Sequence, residues 1–283
     1  MQNAAPQLTL KNLTVGYGGV PVVSGLNVVL PGGRISMIVG GSGCGKSTLL
    51  KNILRLYTPI AGQVLLGGHD VFTLKGKGLH CLRQRMGVLF QDGALLGSLT
   101  LGDNVALPLR EHTRLPEPGI MDIVLAKLGL VGLAEFTGLY PNELSGGMRK
   151  RAGLARAMVM DPVMLFCDEP TSGLDPINAA ELDQLLLEMK ERFGMTMVVV
   201  SHDLTSMRAI ADFVVVLGEG RSLFAGTVAE LDATADPYLR RFLDRKAAFR
   251  DTPRITDRPL PASVLKVDCS RHLGSFSGPE AGD

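Results

Sequence analysis

The chain has 283 residues, with 29 Lys and Arg against 28 Asp and Glu, and 46% of it is hydrophobic. That balance excludes a disordered chain, a polybasic nucleic-acid arm and an acidic solvating tail, and the length suffices for a full core without disulfides or a structural metal. Glycine is in surplus: 34 residues, about 12% against about 7% on average, with no repeat and no Gly/Ser tract, so the excess belongs at turns or where backbone meets a ligand.

Residues 8–15 alternate apolar and polar and read as a strand with one wet face, broken by Gly16, Gly18 and Gly19. Residues 28–30 and 34–39 flank Pro-Gly-Gly and read as strands joined by a turn. GGSGCGKST follows, then the helical pattern LLKNILRLY, which ends in the breaker at 58–62. Residues 63–66 and 71–74 flank Gly-Gly-His-Asp as a hairpin, and 86–90 form a short buried strand. Residues 93–158 carry Leu/Ala periodicity and read as a mostly helical insertion. Residues 163–167 and 196–200 are continuous apolar runs of the kind buried parallel strands show. Between them 178–193 reads as a helix, capped by Asp175 with Pro176 as its first residue. Residues 214–217 and 221–224 make a last hairpin, and beyond 248 the chain turns rich in Pro, Arg and Asp.

Cys44, Cys81, Cys167 and Cys269 form no C-x-x-C pair and no zinc spacing, and read as small apolar residues of a reducing compartment. The N-terminus lacks a basic n-region and an apolar h-region, and no apolar run approaches the roughly 20 residues of a spanning helix. A cytoplasmic protein is expected, one that meets a membrane through a partner.

Three motifs carry chemistry. Gly40, Gly41, Ser42, Gly43, Cys44, Gly45, Lys46 and Ser47 fit G-x-x-x-x-G-K-[ST] between a strand and a helix, the context this motif requires. Glycines let successive N–H groups turn toward a phosphate, and the helix N-terminus adds positive potential. Lys46 is expected to reach the β- and γ-phosphates, and the Ser47 hydroxyl to bind Mg²⁺, with Thr48 completing the loop. The strand VMLFCDEP delivers Asp168 and Glu169 to its carboxyl end, where α/β sheets bind ligands. Asp168 suits the Mg²⁺ site, directly or through water, and Glu169 suits a base that orients the attacking water. Such a pair can equally cap a loop, and alone it does not separate the two. The third motif is LSGGM at 144–148, ahead of the basic helical stretch RKRAGLARAM. Its Ser and Gly N–H groups at a helix start make another anion site.

In this order, over about residues 8–230, the three motifs resemble the nucleotide-binding subunits of ABC transporters. The resemblance implies a P-loop NTPase fold of α/β class, with a RecA-like core, an antiparallel β-subdomain and a helical subdomain insertion at about 93–158. It implies a nucleotide-binding domain over 1–248 and a tail over 249–283. It implies ATP and Mg²⁺ as ligands, Tyr17 stacked on adenine, and Gln91 touching Mg²⁺ and water. Ser145, Gly146 and Gly147 would hold the γ-phosphate in a second subunit's site, Gly173, Leu174 and Asp175 would form the D-loop, with Asp175 among the nucleotide-binding residues, and His202 in VVVSHD would contact the γ-phosphate. Lys46, Gln91, Glu169 and His202 are thus the catalytic set, and Ser47, Gln91 and Asp168 the metal set. One P-loop and one LSGG per chain imply a working dimer with two composite sites.

FQDGALLGSLTLGDNVALPLREHT, LSGGMRKRAGLARAM with Met148 where many importers have Gln, SGLDP and DPYLRRFLDR together resemble the ATPases of MCE-type (mammalian-cell-entry), Mla-like lipid transporters. That implies an integral-membrane permease, an MCE-domain protein and a small STAS-domain protein as partners, on the cytoplasmic face of an inner membrane. The ATPase of an amino-acid importer or of a lipoprotein-release system is the nearest alternative. A DNA-repair ABC ATPase would need a coiled coil or zinc inserts, which this chain lacks, and a translation-factor type would need two cassettes. Residues 92–110 read either as a surface coupling nucleotide state to the permease or as ordinary helical core. The tail from 240 to 258 reads either as a solvated face or as a segment packed on the neighbouring subunit.

Overall fold

The computed structural model describes residues 5–244. The chain divides into a compact unit of residues 1–239 and a second unit of residues 240–283. Only residues 240–244 of the second are described, so the tail expected to pack on a neighbour lies outside the described residues.

Strands β1 (Leu8–Tyr17), β2 (Val20–Leu30), β4 (Ala61–Leu66) and β5 (His69–Asp70) form an antiparallel sheet in the order β2-β1-β4-β5. The alternation in β1 survives a bulge: Asn12, at φ 45°, lets the strand skip a residue so that Leu13 and Val15 fall on the same buried face as Leu8 and Leu10. Asn tolerates that left-handed backbone better than most residues. Gly16 does not end the strand, which runs on to Tyr17.

The second sheet has the order β10-β9-β3-β8-β7-β6, from β3 (Ile35–Gly40), β6 (Met86–Leu89), β7 (Met164–Asp168), β8 (Thr196–Ser201), β9 (Phe213–Gly218) and β10 (Arg221–Gly226). Its strands are parallel except for the β9–β10 hairpin. Every residue of β3, β7 and β8 is buried, which explains their unbroken apolar runs. Helix α1 (Lys46–Ile53) joins the sheets: its Leu49, Leu50 and Ile53 share one core with Leu13 and Leu26 on one side and Phe166 and Val198 on the other.

Between β6 and β7 the chain runs through α3 (Leu101–His112), α4 (Glu117–Leu130), two 3₁₀ turns and α5 (Gly146–Met158). Helices α6 (Pro176–Phe193) and α7 (Leu204–Ile210) flank β8, and α8 (Val228–Asp232) and α9 (Pro237–Leu243) follow β10. The α/β class, with a P-loop core, an antiparallel β-part and a helical insertion, is the one expected.

The turn at Pro-Gly-Gly joins two strands as expected, and it carries the chain from one sheet to the other. Three local readings are corrected. Strand β2 starts at Val20, well before 28, because β1 pairs with it along its whole length. Residues 71–74 are not a strand; β5 is two residues long and precedes them. Helix α2 (Gly76–Gln84) was unforeseen; none of its residues is buried, though Leu82 packs against the core.

Candidate active site

The neighbouring order β3-β8-β7 brings three carboxyl ends side by side. The P-loop leaves β3, Glu169 follows β7 and His202 follows β8. In that order the three segments meet although they lie far apart in sequence.

The phosphate loop turns on Gly45, the N-cap of α1, whose φ of 101° a side chain rarely adopts. A Cβ there would also sit 2.6 Å from Val23 Cγ2 and 2.8 Å from Val22 Cγ1. A Cβ on Gly41 or Gly43 would meet nothing within 4 Å, so the loop presents an open cradle. Within it Cys44 N–H donates to the Gly41 carbonyl. Lys46 is buried; its ammonium donates to the carbonyls of Gly40 at 3.0 Å and Gly41 at 3.1 Å. Ser42 is exposed on the loop.

Glu169 bridges the set. One carboxylate oxygen lies 4.0 Å from Lys46 Nζ, the other 2.7 Å from His202 Nδ1. The second oxygen also accepts from the His202 backbone N–H at 3.3 Å. The Glu169 side chain is mostly buried while that of His202 is open to solvent. Glu169 has φ 49°, a left-handed backbone uncommon for a glutamate. Strain of this kind persists only where surrounding contacts hold it, and it clusters at active sites.

Ser47 donates to Asp168 Oδ1 at 3.3 Å. Burial pushes the Asp168 carboxyl above its ordinary range, with Glu169 adding to the rise, against the Ser47 hydrogen bond and the charges of Lys51 and Lys46. A desolvated carboxylate beside a hydroxyl is a hard-oxygen pair that suits Mg²⁺ completed by waters and phosphate oxygens. The residues present therefore fit that cation. Among the described residues no cluster of three or more His, Cys, Asp or Glu offers a self-sufficient metal cage. Gln91, also expected there, is exposed just after β6, and no hydrogen bond joins it to Ser47 or Asp168 among the described residues.

Tyr17 is 49% exposed, and its hydroxyl shares a hydrogen bond of 2.9 Å with Thr48 Oγ1. Its ring meets Tyr57 edge-on at 5.7 Å, and Tyr57, a residue the motifs did not point to, thereby fixes the tilt of the ring beside the loop.

Ser145, Gly146 and Gly147 are not brought to this cradle. Ser145 caps α5 by accepting from Met148 N–H at 3.2 Å. A Cβ on Gly147 would lie 3.3 Å from Asn178 Oδ1, and one on Gly146 4.0 Å from Leu174 Cδ2, so these residues lie against the start of α6. Asp175 caps that helix, accepting from Ile177 and Asn178 N–H, each at 3.1 Å; the Asn178 bonds hold its carboxyl below the usual range. In 92–110 the two readings divide by residue: Leu101 and Val105 are core, while Leu96 is 47% exposed. Cys167 is fully buried, which pushes its thiol up, and Cys44 and Cys81 are free thiols.

Sequence motifs did not single out Lys150 or Arg156, two buried or half-buried cations on α5 that reach toward the site; the run RKRAGLARAM was the available signal.

Residues 23–172 match the family model described as ABC transporter. The chain is 38% identical over 260 residues to the intermembrane phospholipid transport system ATP-binding protein MlaF of Escherichia coli K12, covering 92% of this chain and 93% of that one. It is 42% identical to MlaF of Haemophilus influenzae, covering 83% and 89%. It is also 42% identical to the probable ribonucleotide transport ATP-binding protein mkl of Mycobacterium leprae, over 84% of this chain but only 68% of that protein. Among solved structures it resembles cbiO1 of Clostridium perfringens, part of the ABC transporter complex cbiONQ, at TM-score 0.74 and 31% identity, covering 82% and 92%. It also resembles the dimeric ATP-binding cassette MJ0796 in a post-hydrolysis state bound to ADP and Pi, at TM-score 0.72 and 30% identity, covering 78% and 98%.

Proposed function

This chain belongs to the ABC transporter family as an ATP-hydrolysing subunit, and we propose that it powers phospholipid movement across a bacterial envelope, through a membrane permease and an MCE-domain protein. The observation that carries the enzymatic reading is the convergence of Lys46, Glu169 and His202 on one point beside an open phosphate cradle. The lipid reading is supported by matches to the MlaF proteins along 89–93% of their length, against 68% for mkl.

In this reading ATP lies in the loop of residues 40–48 with its base against Tyr17. Lys46 leaves its carbonyl partners for the β- and γ-phosphates. Ser47, Asp168 and Gln91 would hold Mg²⁺, which would neutralise phosphate charge. Glu169 accepts a hydrogen bond from the attacking water and orients it, and His202 holds that carboxylate while reaching the γ-phosphate. Ser145, the cap of α5, and Gly146 and Gly147, which lie against the start of α6, would be presented to the γ-phosphate by a second copy and complete its site. Asp175, in the D-loop, would belong to the nucleotide-binding set. No helix among the described residues is long and apolar enough to cross a membrane, so the permease would supply the spanning part. The subunit would sit on the inner membrane's cytoplasmic face, with a STAS-domain protein as a further partner. Residues 1–248 would form the nucleotide-binding domain, followed by a tail over 249–283.

Glu169→Gln should bind ATP, turn it over at least about a hundredfold more slowly and accumulate as a closed dimer. Lys46→Ala should lose hydrolysis and most nucleotide binding. Near wild-type turnover in either variant would refute the assignments. A permease gene and an MCE-domain gene beside this one would support the lipid reading; a solute-binding protein gene would favour an importer.

A further inference from the structure

Helix α5 is capped by Ser145, and its middle touches two other parts of the site. Gly153 lies against the loop that follows Gln91: a Cβ there would be 2.8 Å from Gly93 Cα, and Arg156 donates to the carbonyls of Gly93 at 2.9 Å and Ala94 at 2.8 Å. One turn nearer the start, Lys150 crosses to the segment after β7. It is 5% exposed, and its ammonium donates to Glu169 O at 3.3 Å, to Ser172 Oγ at 3.2 Å and to Ser172 O.

The target of Lys150 is unusual. Glu169 stands at φ 49°, and its carbonyl takes three donors: Ser172 N–H at 3.2 Å, Ser172 Oγ at 2.9 Å and the Lys150 ammonium. The Glu169 N–H is fixed by Val200 O at 2.8 Å. A strained residue keeps its conformation only while such contacts over-determine it. Two of the three carbonyl donors are local to the turn; the third comes from another element. Burial lowers the affinity of Lys150 for its proton, against the attraction of Asp92 and Glu169. A desolvated ammonium is costly unless its donors are used, so the position is specialised and not a solvated face.

We infer that Lys150 is a positioning residue, which sets the Glu169 carboxylate for hydrolysis by clamping the backbone of residues 169–172 to the helix that Ser145 caps. It acts through Glu169 and touches no nucleotide. The inference rests on the reading of Glu169 as the residue that orients water. Lys150→Met keeps the stem and removes the donors. Lys150→Gln keeps an amide donor without charge.

The test measures steady-state ATPase and the affinity for a fluorescent ATP analogue on the full chain, alongside Glu169→Gln. Lys150→Met should lower kcat about tenfold or more, since small misplacements near the reacting atoms cost that much, while KM and analogue affinity stay within about threefold. Lys150→Gln should recover most of the lost kcat. A Lys150→Met kcat within twofold of wild type, a loss carried by KM, or a Gln variant as slow as the Met variant would each overturn the inference. If Lys150→Met fails to fold, Ser172→Ala decides: a several-fold fall in kcat at constant KM supports the clamp, and an unchanged kcat overturns it. An inactive Glu169→Gln beside a fully active Lys150→Met removes only this inference, whereas an active Glu169→Gln removes the reading beneath it.

Discussion

Replacing Asp183 by Asn should abolish a pH-dependent destabilisation of the native protein. Asp183 lies on α6 and is 6% exposed, with one carboxylate oxygen lacking any hydrogen-bond partner. Burial pushes its carboxyl from 3.8 up to about 6, aided by the negative charge of Asp203 and opposed by a hydrogen bond from Ser206 on α7. A carboxyl raised on folding binds its proton more tightly in the native state. Its contribution is therefore fully present below about pH 4 and is lost as pH rises through 6. At about 1.4 kcal/mol per pH unit, that displacement amounts to about 3 kcal/mol. Asn cannot ionise, so the stability difference between variant and wild type should move in the variant's favour by up to that amount between pH 4 and 7. For a unit of this size that is a relative gain of about 6–12 °C in Tm. Urea titrations followed by circular dichroism at pH 4, 5, 6 and 7, with thermal melts at the same values, measure it. Parallel pH profiles for the two proteins would refute the argument, because they would mean that the Asp183 carboxyl has the same affinity for its proton folded and unfolded.

Gly153→Ala forces a Cβ to within 2.8 Å of Gly93 Cα and 3.0 Å of Leu89 Cδ1; backbone cannot step aside cheaply, so thermal melts should show a loss of about 1–3 kcal/mol. Gly97→Ala, with open space around the added carbon, is the control and should melt as wild type. Gly45→Ala combines a φ of 101° with contacts on Val22 and Val23, and equilibrium titration should show ATP affinity down by about tenfold or more. Ser47→Ala removes the hydroxyl bonded to Asp168, so the Mg²⁺ concentration for half-maximal ATPase should rise about tenfold, with activity partly restored at high Mg²⁺.

Much of the site was legible where its chemistry is local. The P-loop is nine consecutive residues whose glycines, lysine and hydroxyls speak for themselves. The cap on α6 is another such case: Asp175 accepts two backbone N–H groups and Pro176 opens the helix, as the dipeptide implies. The apolar runs of β7 and β8 announced strands covered on both faces. Legibility failed where a short element has little core of its own. Helix α2 buries no residue, β5 is two residues long, and the first part of β2 is mostly exposed, so no unbroken apolar run of the kind that marks β7 and β8 occurs there.

By itself the sequence determined the parts and their order: a glycine-rich loop before one helix, a Ser-Gly-Gly turn before another, and an acidic pair and a histidine at two strand ends. Backbone preference and side-chain chemistry act within a few residues, and these features lie within that range. Only the tertiary structure decided which of them meet. The order β3-β8-β7 is set by long-range burial, and it places Lys46, His202 and Glu169 around one carboxylate. The same packing lays Gly146 and Gly147 against the start of α6 and brings Lys150 onto the strained backbone of Glu169. Those contacts span 19 to 123 residues of sequence and arise from how two sheets and a helical insertion close on one another, a choice no local stretch of residues encodes.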